Sequence, residues 1–249
     1  LTASSDADPY VPALFLHIRK TAGTSIVQMA MDHYGYENVC NHGSYMGKSP
    51  DQLKKFPFIS GHFGYDFAQE LMPDRFSFTF LRDPIERIIS LYCFCRTRDP
   101  EEFPIYRAAS EHDLYGFLQA AGDNDLVRSY ISNSQVWCLA SGPGFYETVT
   151  DEMSAEERFH RALANASRLS FIGFTETFDD DARLILHALK MKTVQAVRHD
   201  NVTQNKMAVT MLPARTAHLL EELTRWDRKL YDTLFKKCKG NPVHETQKK

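Results

Sequence analysis

Short apolar runs alternate with longer amphipathic stretches along the chain. Leu14–Ile18, apolar apart from His17, reads as a buried strand, and Thr24–Tyr34 follows it with helical spacing. Phe58–Ser60 is a short strand candidate, and the aromatic-rich Phe76–Leu81 a clear one. Ile85, Ile88, Ile89 and Tyr92 recur at i, i+3, i+4 and i+7, so Ile85–Arg96 is helical, with Pro84 suited to its first turn. Residues 97–112 read as polar and irregular, and 113–121 and 125–140 as helices. Ser154 with Glu157 forms a capping-box signature that opens a helix to about Ser167. Phe171–Phe174 is a further strand, a helix follows over about 177–189, and Pro213 opens a last helix to about Lys237. Strand and helix alternate, then helices dominate. That order predicts an α/β fold with a parallel sheet covered by helices on both faces. Residues 1–10 and 240–249 read as loose ends, and nothing resembles a linker, so a single domain over 1–249 is expected.

Composition narrows the class. The 249 residues are 43% hydrophobic and 24% charged, which excludes a disordered chain, a collagen-like chain and a small disulfide scaffold. Their number is compatible with one α/β domain. Lys and Arg number 29 against 32 Asp and Glu, a net charge of −3 that advertises neither nucleic acid nor an anionic membrane. Any anion must therefore be met by a local site. No apolar run approaches the roughly 18 residues of a spanning helix, and no signal peptide is visible. The first residue is Leu1, which reads as a chain trimmed or cut from a longer one. Five cysteines, an odd number without a C-x-x-C pair, do not make a disulfide framework, and no H-E-x-x-H spacing suggests zinc.

The first strand runs into His17-Ile18-Arg19-Lys20-Thr21-Ala22-Gly23-Thr24-Ser25, and a helix follows immediately. This is the grammar of a phosphate cradle. Gly23 frees the backbone to approach an anion. The hydroxyls of Thr21, Thr24 and Ser25 can donate, and the N–H groups and dipole of the helix start favour negative charge. Lys20 adds a compact, mobile cation, and Arg19 beside it opposes the dipole unless an anion binds there. The loop is not G-x-x-x-x-G-K-[ST]: Lys20 precedes the only glycine. It suits one terminal phosphate-like group better than a wrapped triphosphate. The plainer alternative is a tight turn with capping threonines and a solvated lysine.

A second set follows the strand Phe76–Leu81. Arg82 stands where that strand gives way to its helix, the edge at which open α/β sheets bind ligands. Its planar fork can hold a phosphate by two hydrogen bonds. Ser90 lies about two turns into the helix, off the isoleucine face, with Arg87 one turn before it. Ion pairing of Arg82 with Asp83, or of Arg87 with Glu86, on a solvated helix is the alternative. Arg19, Lys20 and Arg82, with Arg87 as a further candidate, make a focused cationic set, and two anion sites imply a ligand with two anionic groups. Between them Gly61-His62-Phe63-Gly64 ends the middle strand candidate. His62 is expected at the same sheet edge, where an imidazole suits proton abstraction from an alcohol. Capping of a turn is its bland reading. His17, inside its strand, is expected in the core.

Together these residues resemble the 3′-phosphoadenosine 5′-phosphosulfate (PAPS)-dependent sulfotransferases, most nearly the branch of the heparan sulfate 2-O- and 6-O-sulfotransferases and their bacterial relatives. The resemblance rests on Ile18–Ser25, Gly61-His62 and the R-D-P-x-x-R-x-x-S element from Arg82 to Ser90. Weaker echoes are Asn133-Ser134-Gln135, Phe171–Glu176 and Asn201–Lys206, so that about residues 14–235 are covered. It implies a P-loop-like three-layer α/β/α fold with a central parallel sheet and a helix-rich second half. It implies that Arg19, Lys20, Thr21, Ala22, Gly23, Thr24 and Ser25 bind the 5′-phosphosulfate and that Arg82 and Ser90 bind the 3′-phosphate. Lys20 would steady the transferring sulfuryl group, His62 would act as base, and Thr203 and Lys206 would lie in a loop near donor and acceptor. Arg19 departs from the Pro or Gln usual before the lysine, which bears on acceptor preference more than on donor binding.

The expected reaction is in-line sulfuryl transfer from PAPS to an acceptor hydroxyl, leaving the bisphosphate PAP. No metal is expected, because fixed cations and backbone dipoles take that role. The resemblance weights the expected acceptor toward a saccharide hydroxyl, with a phenol, a lipid or a small metabolite as alternatives, and the irregular segments 36–56 and 97–124 are expected to face it. A P-loop-type kinase and a non-catalytic nucleotide- or glycan-binding module are the alternatives. Sequons stand at Asn165 and Asn201. The cytoplasm is the expected compartment, with the Golgi lumen as the alternative for a trimmed catalytic domain.

Overall fold

A computed structural model describes residues 10–41, 43–141, 153–191 and 209–240. Among these residues the strands β1 (Ala13–Leu16), β2 (Val39–Cys40), β3 (Phe58–Gly61), β4 (Phe76–Leu81) and β5 (Phe171–Phe174) form one sheet in the order β2-β3-β1-β4-β5. β1 runs parallel to both β3 and β4, and β2 parallel to β3. The helices are α1 (Gly23–Tyr34), α2 (Pro50–Leu53), α3 (Tyr65–Ala68), α4 (Pro84–Cys95), α5 (Pro104–Glu111), α6 (Leu114–Asp123), α7 (Asp125–Ile131), α8 (Ser134–Ala140), α9 (Ala155–Ala166), α10 (Phe178–Ala188) and α11 (Ala214–Lys239). The predicted α/β class, with its central parallel sheet and helix-rich second half, is thus observed.

The described residues gather into two compact units. One holds the sheet with α1, α2, α3 and α10, and the other holds α4 to α9 and α11. The chain first passes between them at Phe80–Leu81, inside β4.

In the first unit the strand alternation puts Ala13, Phe15, Phe58, Phe78 and Phe80 in one core with α1 and α10. α1 contributes Ile26, Val27, Ala30 and Tyr34, and α10 contributes Phe178, Ala182 and Ile185. Phe15 stacks on Phe78 with ring centres 4.8 Å apart. Gly173 in β5 is required by this layer, because a Cβ there would stand 2.5 Å from the Phe80 ring. Register matters for function, since pairing of β1 with β3 sets Leu16 opposite Gly61 and brings two strand ends level.

In the second unit α11 is the long element, burying Thr216, Leu220, Thr224, Asp227, Leu230, Tyr231 and Leu234. The expected helix 125–140 is two helices, α7 and α8. Asn133 between them takes a left-handed backbone (φ 45), and its side chain accepts hydrogen bonds from α11. The expected irregular segment 97–112 contains α5, started by Pro104 and anchored by buried Ile105, Ala108 and Ala109 at i, i+3 and i+4. β2, α2 and α3 are too short to show a period. The capping box at α9 forms as read: the Ser154 hydroxyl accepts from Glu157 N–H, and the Glu157 carboxylate accepts from Ser154 N–H. Asn165 is buried and donates through Nδ2 to Leu139 C=O at 2.9 Å, so this sequon is closed to a glycan in the folded chain. Among the described residues no helix is long and apolar enough to cross a membrane.

Phe78 is fully buried at the centre of the aromatic layer. Phe78→Ala is expected to cost about 3–5 kcal/mol through lost burial and a cavity, read as a lowered urea midpoint. A loss below about 1 kcal/mol would mean that the stack does not carry the first unit.

Candidate functional site

The first unit supplies a strand end, a loop and a histidine. His17 continues the ladder beyond β1, its N–H donating to Gly61 C=O at 3.0 Å. Its ring is buried and stacks on Phe15 at 4.9 Å, so the residue is in the core as expected. The ring also lies against Gly23, where a Cβ would collide with it. The sequence reading gave Gly23 to anion approach; the structure adds a nearer need, room for His17.

After His17 the backbone turns tightly. Lys20 and Ala22 both lie in the left-handed region (φ 68 and φ 63), a strain of about 1–3 kcal/mol each that the surroundings must hold. The buried Thr21 hydroxyl donates to Ile18 C=O at 2.8 Å and so staples this turn. Ala22 takes the N-cap position of α1 and has no side-chain acceptor, and no acidic residue occurs in the first helical turn. The positive end of the α1 dipole is therefore not met by a carboxylate of its own first turn. Arg19, Lys20 and Thr24 are half-buried, and Ser25 is buried.

His62 follows β3 and is half-buried. Its Nδ1 lies 2.6 Å from the C=O of His17, and the two imidazole centres are 4.4 Å apart. A carbonyl can only accept, so Nδ1 carries the proton that joins them. The neutral imidazole then keeps its lone pair on Nε2, the nitrogen able to take a proton. Gly61 lets aromatic rings close behind this turn: a Cβ there would meet the Phe63 ring and stand 2.8 Å from Tyr45. Tyr45 belongs to the segment 36–56 expected to face the acceptor, and it packs edge-on to Phe63 at 5.2 Å.

The second unit supplies Arg82 and Ser90. Arg82 directly follows β4, and its guanidinium is 3.9 Å from Glu86. Its main chain is gripped by one side chain: Gln135 accepts from Arg82 N–H at 3.0 Å and donates to Arg82 C=O at 2.9 Å. Asp83 caps α4, accepting from Ile85 and Glu86 N–H, and pairs with Arg228 at 2.6 Å. Ser90 is buried on α4. Arg87 corrects the expected cationic set. It is buried, and its guanidinium donates to Tyr130 C=O at 3.0 Å, close to where α7 ends. Burial drives the Asp227 carboxyl above the usual carboxylate range, and the Arg87 charge with two main-chain N–H bonds from Val136 and Gln135 pulls it back.

The structure thus joins His17, His62 and the loop 18–25 within one unit and sets Arg82, Asp83 and Ser90 in the other. Thr203 and Lys206 lie outside the described residues, as does Asn201. Sequence reasoning missed the roles of Gln135, Asp227 and Arg228. One signal was present: Asp227 is an acid on the stripe of α11 that carries Leu220, Leu230 and Leu234. Among the described residues no cluster of His, Cys, Asp or Glu is placed to hold a metal ion.

The chain matches the family profile described as "Sulfotransferase family" over residues 7–237. No curated protein matches it.

The contact between His17 and Gly23 predicts opposite signs for two glycine substitutions. Gly122→Ala, in α6 with open space around the new methyl, is expected to gain up to about 1 kcal/mol from helix propensity. Gly23→Ala is expected to lose stability and to displace His17. Thermal unfolding of the two variants checks the signs, and an equal gain in both would contradict the packing described.

Proposed function

The chain belongs to the sulfotransferase family, and from that premise we propose that it transfers a sulfuryl group from PAPS to a hydroxyl of a saccharide, with His62 as general base. Sulfuryl transfer follows from the family; the donor, acceptor class and residue roles are this reading's own.

The loop fits a phosphosulfate on its own chemistry. Two left-handed residues turn the main chain, the start of α1 has no acidic side chain in its first turn, and Arg19 and Lys20 bring positive charge. Residues 19–25 would hold the 5′-phosphosulfate, and Arg82 and Ser90 keep the 3′-phosphate role that the resemblance gives them. The donor supplies an activated sulfuryl group. Residues of this chain do the rest. His62 Nε2 takes the proton of the attacking hydroxyl as its oxygen bonds to sulfur. Lys20 and the loop N–H groups neutralise the charge left on the bridging phosphate oxygen as its bond to sulfur breaks. One observation carries the base assignment: the Nδ1 contact to His17 C=O, which puts the ring's proton on Nδ1 and its lone pair on Nε2.

Sulfur-labelled PAPS offered with polysaccharide, oligosaccharide and small alcohol acceptors tests the reading. Label is expected on a saccharide, with PAP formed in equal amount. His62→Ala is expected to lower kcat by about 10²–10⁴-fold while PAP affinity is kept. Transfer of phosphate from ATP with Mg²⁺, or PAP binding without transfer to any acceptor, would overturn it. Equal loss of PAP affinity and turnover in the variant would make His62 a structural residue.

A further inference from the structure

Arg82 is held from two sides by consecutive residues of α11. On one side the Asp227 carboxylate, completely buried, accepts from Gln135 N–H at 3.1 Å and Val136 N–H at 2.7 Å, capping the first turn of α8. Gln135, thereby fixed, pairs through its carboxamide with both polar groups of the Arg82 main chain. On the other side Arg228 pairs with Asp83, the cap of α4 and the residue after Arg82. Asn133 locks the arrangement to α11. Its Oδ1 accepts from Trp226 N–H at 2.8 Å and Asp227 N–H at 3.1 Å, and its own N–H donates to Leu223 C=O at 3.0 Å.

This is an unusual outlay for a chain segment that only links a strand to a helix. A buried carboxylate and a buried carboxamide each carry a large desolvation cost unless fully paired. Here every bond they form converges on the main chain at Arg82 or on the helix that presents Gln135. An arginine binds a phosphate oxygen pair well only when its fork arrives in one orientation, and main-chain placement decides where a long side chain starts.

We propose that Gln135, set by Asp227 and Asn133, is a positioning residue for the donor site: it fixes the Arg82 main chain so that the guanidinium is pre-aimed at the 3′-phosphate. Asp227 and Arg228 make α11 the frame of that contact. The inference rests on the 3′-phosphate reading of Arg82 and goes beyond it, because it gives Gln135 a role exerted through the Arg82 main chain.

The test is PAP binding by calorimetry on the full chain in five forms: wild type, Gln135→Leu, Arg82→Ala, the double variant, and Ser154→Ala, which removes the cap of α9 in the same unit. Gln135→Leu is expected to weaken PAP about tenfold, Arg82→Ala at least as much, and the double variant no more than Arg82→Ala alone. Ser154→Ala is expected to bind as wild type, and the loss in Gln135→Leu is expected in the donor KM rather than in kcat. Gln135→Glu adds a readout that a merely structural glutamine would not move, and it serves if Gln135→Leu does not fold. Ionised, the introduced carboxylate can accept from Arg82 N–H but repels Arg82 C=O; protonated, it can donate there again. Its PAP affinity relative to wild type at the same pH is therefore expected to recover as pH falls. Gln135→Leu within twofold of wild type, with Arg82→Ala weakened, overturns the positioning role and leaves the Arg82 reading standing. A double variant that loses the product of the two single effects also overturns it. No effect in Arg82→Ala overturns the 3′-phosphate reading and the inference with it. Affinity of Gln135→Glu that stays flat against wild type with pH contradicts the pairing.

Discussion

His17 ties together the end of β1, the end of β3 and the start of α1. Its N–H extends the ladder to Gly61. Its ring stacks on the core through Phe15 and fills the space that Gly23 leaves open. Its C=O takes the Nδ1 proton of His62. Four contacts of one buried residue thus decide where the loop begins, how closely the helix approaches, and which nitrogen of the proposed base carries the proton. The loop's two left-handed residues can persist because both of its ends are pinned in this way.

The second unit solves a related problem with different means. Where the first fixes a side chain through a backbone carbonyl, the second fixes a backbone through a side-chain amide. Gln135 takes the place of a neighbouring strand at Arg82, and a buried acid on α11 holds Gln135 in turn. Polar groups this deeply buried are tolerable because each is paired, and removal of one partner would leave the other without compensation. In each unit, paired polar groups hold a residue proposed to act in transfer, the arrangement that preorganised charge requires.

Much of this was legible in the sequence, for a physical reason. The strand–loop–helix from Leu14 to Tyr34 and the strand–Arg82–Pro84–helix segment are contiguous, so their residues announce their geometry locally. His62 stood out through Gly61 and the strand before it. The supporting contacts did not. Gln135 meets Arg82 across 53 positions, and Asp227 meets Gln135 across 92, distances over which no periodicity carries information. Charge misled at Arg87, a further candidate for the cationic set that is instead buried with its guanidinium on the α7 carbonyls. Asn133 was read within one long helix because only tertiary bonds to α11 reveal the break. Thr21 and Gly23 drew notice as members of an anion loop, and the structure shows stapling by Thr21 and close packing of His17 on Gly23.

His17 C=O sets the tautomer of His62. Nitrogen-15 NMR of the histidine rings reads it directly at a pH where His62 is neutral. A protonated, pyrrole-type Nδ1 and an unprotonated, pyridine-type Nε2 are expected for His62. A protonated Nε2 in the neutral ring would contradict it, because the proposed base would then have no lone pair to offer.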